Sequence, residues 1–194
     1  MRKALALACK FNPVLPEWLR SPIVYRWQAD LVDPLNRFVG LEPGLVAVQR
    51  HYHGLAKRQF LGDIDGRDSV RLKKYFYSIR PALALRWLRC RPDDPLPMDI
   101  PTLRAGVALD PAIVQALDHL LSLKAQAHEL GMGARVPVLD DFIRGELDTA
   151  ARWLATQPAA PAADVDAADR MLRIIIRSAD AAIAARRNDG GTAR

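Results

Sequence analysis

A chain of 194 residues in which half are apolar and 26% charged can bury a sizeable core, which excludes global disorder and fibrous repeats. The formal charge of +6 favours anionic partners such as nucleic acid or nucleotide phosphates. Two cysteines, Cys9 and Cys90, with neither a CxxC pair nor a histidine cluster, leave too few ligands for a structural zinc or a disulfide framework, and read as buried thiols of a cytoplasmic protein.

In chain order, residues 2–10 predict a short helix that stops where Asn12 precedes Pro13. Their apolar run is interrupted by Lys10, which argues against a signal peptide. No apolar stretch approaches the ~18 residues of a membrane span, so the expectation is a soluble protein without a membrane partner. LPEWLRSP predicts one turn of helix, and IVYRW at 23–27 is the single β-flavoured run of the first half. Helices follow over 30–40 and 44–61, separated by Glu42-Pro43-Gly44.

The loop GDIDGRDS offers Asp68 or Ser69 as N-cap for the next helix. In that helix Leu72, Phe76, Ile79, Leu83, Trp87 and Cys90 recur at spacings of three or four and predict one buried stripe. Pro81 lies inside it and removes an amide from the ladder, predicting a bend or a loosened turn at a cost of about 3 kcal/mol. RPDDPLPMDIP, 91–101, is a proline-dense connector expected to hold no helix. Asp110-Pro111 then opens a helix to about 130, with Ile113, Leu117, Leu120, Leu121 and Leu123 inward. Another helix spans 137–156 and buries Leu139, Phe142, Ile143, Leu147, Trp153 and Leu154. The predicted fold is all-α, an irregular bundle of six to seven helices with one long helix bent at a proline and no catalytic sheet. Its organisation is a helical domain over 1–157, a linker at 158–163, a C-terminal helix at 164–187 and a disordered tail at 188–194.

The candidate chemistry sits on the proline-bearing helix. Lys73, Tyr77 and Arg80 stand at i, i+4 and i+7, with Lys74 beside them, so they share one side of the rod. Arginine offers a planar fork to phosphate oxygens, lysine a mobile charge, and tyrosine a hydroxyl or a ring for a base to stack on. A solvated cationic face explains the same spacing. Asp63 and Asp65 have the spelling of a metal-sharing pair, but a glycine-flanked link between helices reads as an ordinary turn. Asp164 and Asp166 read as helix-start acids. His51 and His53, two apart on a helix, face different ways; His119 and His128 have no cysteine neighbours. P-loop, G-x-G-x-x-G and G-x-S-x-G motifs are absent from the sequence, which leaves an autonomous ATPase or hydrolase unsupported.

Four segments in order, RKALALACKFNPVLPEWLRSPIVYR, RLKKYFYSIRPALALRWL, PLPMDIPTL and VPVLDDFIRGEL, resemble the predicted bacterial nucleotidyltransferase family of the DNA polymerase β superfamily, the group linked to RNA repair. The likeness spans about residues 2–177. In that superfamily a Gly-Ser element holds the triphosphate and three carboxylates on adjacent strands hold two metals, and both precede the segment that looks like RKAL. This sequence contains no Gly-Ser pair. The resemblance therefore implies a helical C-terminal portion whose catalytic domain and Mg²⁺ site lie outside these residues. Asp63 and Asp65 fall far downstream of the family's metal-binding pair. Lys73, Lys74, Tyr77 and Arg80 match the family's K-K-Y-x-Y-x-x-R-P pattern, and Pro81 is expected to turn them toward a nucleotide or nucleic-acid cleft. Asn12, Glu17, Trp18, Ser21 and Pro22 match too, and read equally well as turn and packing residues. Expected partners are nucleotide or RNA and an N-terminal catalytic domain, with self-association through an apolar face that this domain would otherwise cover. The alternative is a non-catalytic RNA- or protein-binding helical module of the same descent.

Overall fold

The computed structural model describes residues 14–19, 44–126 and 130–159, together with scattered positions within 21–36 and 166–181. The helix expected at 2–10, most of 23–40, Cys9, His128 and most of 160–194 lie outside the described residues. The chain divides into two compact units, 48–159 and the combination of 1–47 with 160–194.

In the latter unit α1 (Val14–Leu19) is the predicted single turn and buries Leu15. Ser21 closes it, its amide donating to the Trp18 carbonyl at 3.3 Å, and the Ser21 Oγ accepts from Ile23 N–H at 3.2 Å. Ser21 thus has a turn-forming role, and Trp18 is half exposed.

The 48–159 unit is all-α apart from one short strand pair, and its order is α2 (Leu45–Asp63), β1 (Ser69–Arg71), α3 (Lys73–Cys90), α4 (Ile100–Ala105), α5 (Pro111–Gln126), β2 (Met132–Ala134) and α6 (Pro137–Ala155). α2 buries Gln49, Tyr52, Ala56 and Phe60 at helical spacing. It ends in a turn where the amides of Ile64 and Asp65 both donate to the Phe60 carbonyl, and Gly66 takes φ +70°, a conformation a side chain would oppose. Ile64 is fully buried and anchors the turn.

Beyond it lies a correction to the expected capping. Ser69 belongs to β1, antiparallel to β2 with Ser69 opposite Ala134, Val70 opposite Gly133 and Arg71 opposite Met132. The N-cap position of α3 is Leu72, which has no side-chain bond to offer. Strand pairing outcompetes capping because Val70 between two polar residues buries completely when the segment is extended.

α3 is the centre of the unit. Its burial departs from the expected stripe: Leu72 and Phe76 are only half-buried, whereas Tyr75, Ser78, Ile79, Pro81, Ala82, Leu83, Ala84, Leu85, Trp87 and Leu88 are all inside. Cys90, expected in the stripe as a buried thiol, is exposed, because the helix leaves the core at its last turn. The helix continues through Pro81 as one element to Cys90, with the proline itself buried. A helix buried on nearly all sides is held by its neighbours, which stabilise it against the lost backbone bond.

The proline-dense connector also differs from expectation. Asp99 caps α4, its Oδ1 accepting from the Thr102 amide at 2.8 Å and its Oδ2 from the Thr102 hydroxyl at 3.0 Å. The backbone bond, ahead of the hydroxyl, holds the Asp99 carboxyl below the usual carboxylate range. Asp110 caps α5 as expected, accepting from Ala112 N–H at 2.8 Å, and α5 buries Ile113, Leu117 and Leu120. α6 buries Leu139, Phe142, Ile143 and Leu147 as expected, and also two acids, Asp140 and Glu146.

Trp87 packs closely against Gly106 at the end of α4, with the Arg91 guanidinium 5.1 Å from its ring centre. A Cβ at Gly106 would overlap the ring, Cζ3 foremost, while the backbone there (φ −92°) suits any residue. Gly106→Ala is therefore expected to lower stability by about 1–3 kcal/mol through overpacking alone, read as a reduced urea midpoint at unchanged m-value.

Candidate functional site

Three of the four resembling segments, RLKKYFYSIRPALALRWL, PLPMDIPTL and VPVLDDFIRGEL, meet around α3. Tyr75, from the KKYFY stretch, donates its hydroxyl to Asp140 Oδ1 at 2.7 Å and accepts from the Val136 amide at 2.8 Å, both partners lying in VPVLDDFIRGEL. Arg135 Nε closes the second carboxylate oxygen at 2.8 Å. Val136 is the N-cap position of α6 and supplies no side-chain bond, so the Tyr75 hydroxyl takes up a backbone amide at that helix start. Two turns further on, Glu146 receives Arg86 Nε at 2.7 Å and Arg89 Nη2 at 2.8 Å. Arg86 also lies over the Phe142 ring at 5.0 Å and donates to the Ala108 carbonyl at 2.8 Å. Neither acid was identified by sequence reasoning. The available signal for Glu146 was its position seven residues after Leu139 and three after Ile143, inside an apolar stripe.

Of the candidate phosphate-binding residues, Lys74 meets α2 and Arg80 meets both α2 and the connector. Lys74 Nζ pairs with Asp63 Oδ2 at 3.0 Å and stands 5.8 Å from the centre of the Tyr77 ring. Arg80 Nε donates to the Met98 carbonyl at 3.0 Å, and its guanidinium lies 5.3 Å from the ring centre of buried Tyr52 on α2. Lys73 is partly exposed. Tyr77 is 55% exposed and Tyr75 fully buried, so the two tyrosines that the sequence placed together have opposite fates. Arg80, Arg86 and Arg91 each donate to a carbonyl of the 98–108 segment, so part of the cationic charge of α3 serves to hold that segment.

Asp63 and Asp65 point to different partners. Asp65 Oδ1 accepts from Arg144 Nη2 at 2.9 Å, with Arg135 at 3.7 Å, while Asp63 holds Lys74. Among the described residues no group of three or more His, Cys, Asp or Glu is arranged to hold a metal, so the Mg²⁺ that the resemblance implies is not assigned to them. His51 stacks edge-on against Tyr52 at 5.2 Å, whereas burial, then Lys57, lowers the pKa of His53 against an opposing hydrogen bond to the Leu147 backbone. His119 is exposed on α5. No described helix is long and apolar enough to cross a membrane.

Apart from the one strand pair the described elements are helical, as the four segments imply. The profile of the RNA repair pathway DNA polymerase beta family matches residues 1–174, and the chain belongs to that family. It is similar to the uncharacterized protein YcgL of Bacillus subtilis (strain 168), 34% identical over 148 residues, which are 76% of this chain and 56% of that protein. The match thus spans little more than half of the curated relative. No solved structure matches.

Two outcomes test the buried network. Burial, foremost, raises the Tyr75 hydroxyl well above its ordinary pKa, with Asp140 adding to the shift and the Val136 amide opposing it. An unfolded tyrosine ionises near pH 10 while the folded one stays protonated, so this group's stability is complete below about pH 10 and is lost as pH rises further. Tyr75→Phe should cost about 1–3 kcal/mol at neutral pH and flatten the alkaline decline of the urea midpoint relative to wild type. Glu146→Gln, which leaves two arginines short of a counter-charge, should cost about 2–4 kcal/mol in the same assay.

Proposed function

We propose that this chain is the helical part of a nucleotidyltransferase, shaping the nucleotide or nucleic-acid cleft beside a catalytic domain that lies outside these residues. Membership of the RNA repair pathway DNA polymerase beta family is the observation that carries it. Nucleotidyl transfer is mostly positioning and charge neutralisation, and the catalytic domain supplies the metal-holding carboxylates with their Mg²⁺. What this chain contributes is the substrate side. Lys73 and Lys74 meet phosphate as point charges, Arg80 meets it as a fork, and exposed Tyr77 gives a ring for a base. Pro81 turns α3 so that these groups face the cleft.

Three features support this role. Lys74 and Arg80 reach toward α2 instead of into bulk water, the Tyr77 ring stands open beside Lys74, and the connector that holds Arg80 is itself one of the resembling segments. A module that binds RNA without catalysis would use the same face.

Titration of labelled single-stranded RNA and of a fluorescent ATP analogue into the chain, at stepped salt, separates these readings from a purely structural role. Binding that weakens steeply with salt and falls at least several-fold in a Lys73→Ala, Tyr77→Ala double variant is expected. In the full-length Bacillus subtilis relative, the matching substitutions should raise KM for nucleotide or RNA in a transferase assay. Unchanged binding in both proteins would remove the cleft assignment.

A further inference from the structure

Asp63 is the last residue of α2, where the helix dipole is negative and an acid is disfavoured. Its position is nevertheless set by a well-anchored turn. Ile64 is buried beside it, Gly66 adopts the left-handed conformation, Arg67 Nη2 donates to the Gly62 carbonyl at 2.6 Å, and Asp65 is held by Arg144 from α6. The turn therefore presents the Asp63 carboxylate to Lys74 on α3, with Oδ2 at 3.0 Å from Nζ. Both side chains keep about a third of their surface open, at 28% for Lys74 and 32% for Asp63. Water and an incoming anion can reach the pair. The ammonium also stands 5.8 Å from the centre of the exposed Tyr77 ring, so lysine, carboxylate and open aromatic surface adjoin.

From this juxtaposition we infer that Asp63 is an internal stand-in for phosphate. Its carboxylate occupies on Lys74 the place that a phosphate oxygen takes when a nucleotide or an RNA strand lies on Tyr77, and binding proceeds by exchanging one anion for the other. Such a latch keeps Lys74 extended along the seam between α2 and α3, and it rejects weak anions because each must displace a tethered competitor. An ion pair this exposed is weak enough to exchange. The negative end of the α2 dipole, which opposes the carboxylate, weakens it further. The inference rests on the proposed cleft, and it adds a residue that opposes binding where the others promote it.

The test uses the whole chain with a labelled single-stranded RNA and, separately, a fluorescent ATP analogue, which distinguish a strand phosphate from a free nucleotide. Asp63→Asn should tighten whichever of the two binds by about fivefold, the size of a partly screened ion pair. The gain should vanish in a Lys74→Ala background. Asp118→Asn, which takes the same charge from the pair that Asp118 makes with Arg104, should leave affinity near wild type. Thermal melting should show Asp63→Asn at least as stable as wild type, since an acid is removed from a helix C-terminus. Equal gains from Asp63→Asn and Asp118→Asn, or a gain that survives Lys74→Ala, would reduce the effect to net charge and overturn the latch. If Asp63→Asn changes nothing while the Lys73→Ala, Tyr77→Ala variant still loses binding, the latch fails and the cleft stands. If neither the wild type nor Asp63→Asn binds either probe, both fail.

Discussion

Everything in the 48–159 unit depends on the way α6 gives two buried carboxylates to α3. Asp140 and Glu146 are almost fully inside, and a buried carboxylate costs several kcal/mol unless its oxygens are satisfied. Tyr75 and Arg135 satisfy the first, Arg86 and Arg89 the second. These directional bonds fix both the rotation of α3 and its height against α6, which apolar packing alone would leave looser. Position along the helix matters because Tyr77 and Arg80 lie on the same rod between the two anchors, and Lys74 sits directly beside the first.

Basic residues on α3 consequently do two jobs. Arg86, Arg89 and Arg91 are engaged with carboxylates and carbonyls of the unit, and their charge is spent within it. Lys73, Lys74 and Tyr77 sit more than two turns earlier and retain exposed surface. Arg80 is intermediate, bonded to Met98 and stacked on Tyr52. A net charge of +6 therefore overstates the cationic surface that α3 offers to a phosphate.

The seam between α2 and α3 is bridged by long polar side chains. Lys74 reaches Asp63 at one end, and Arg80 reaches Tyr52 further along. The buried anchors on the α6 side hold the same helix in place.

Much of the architecture was legible in order. Helical spacing located α2, α3, α5 and α6 within a few residues, Asp110-Pro111 marked a helix start, and the four resembling segments pointed to the family. Local rules suffice there, because periodicity and capping act over a few residues. Other features required the fold. Ser69 went to a strand because its partner, Ala134, is 65 positions away in sequence. Cys90 lies outside the core because the end of α3 is exposed. The role of Asp140 needed Tyr75 from a distant part of the chain, and Asp63, read as a turn residue, needed Lys74. The sequence by itself determined which segments are helical and which residues carry charge. Tertiary structure alone decided which charges cancel one another, since an ion pair depends on distances of a few ångström that no local pattern encodes.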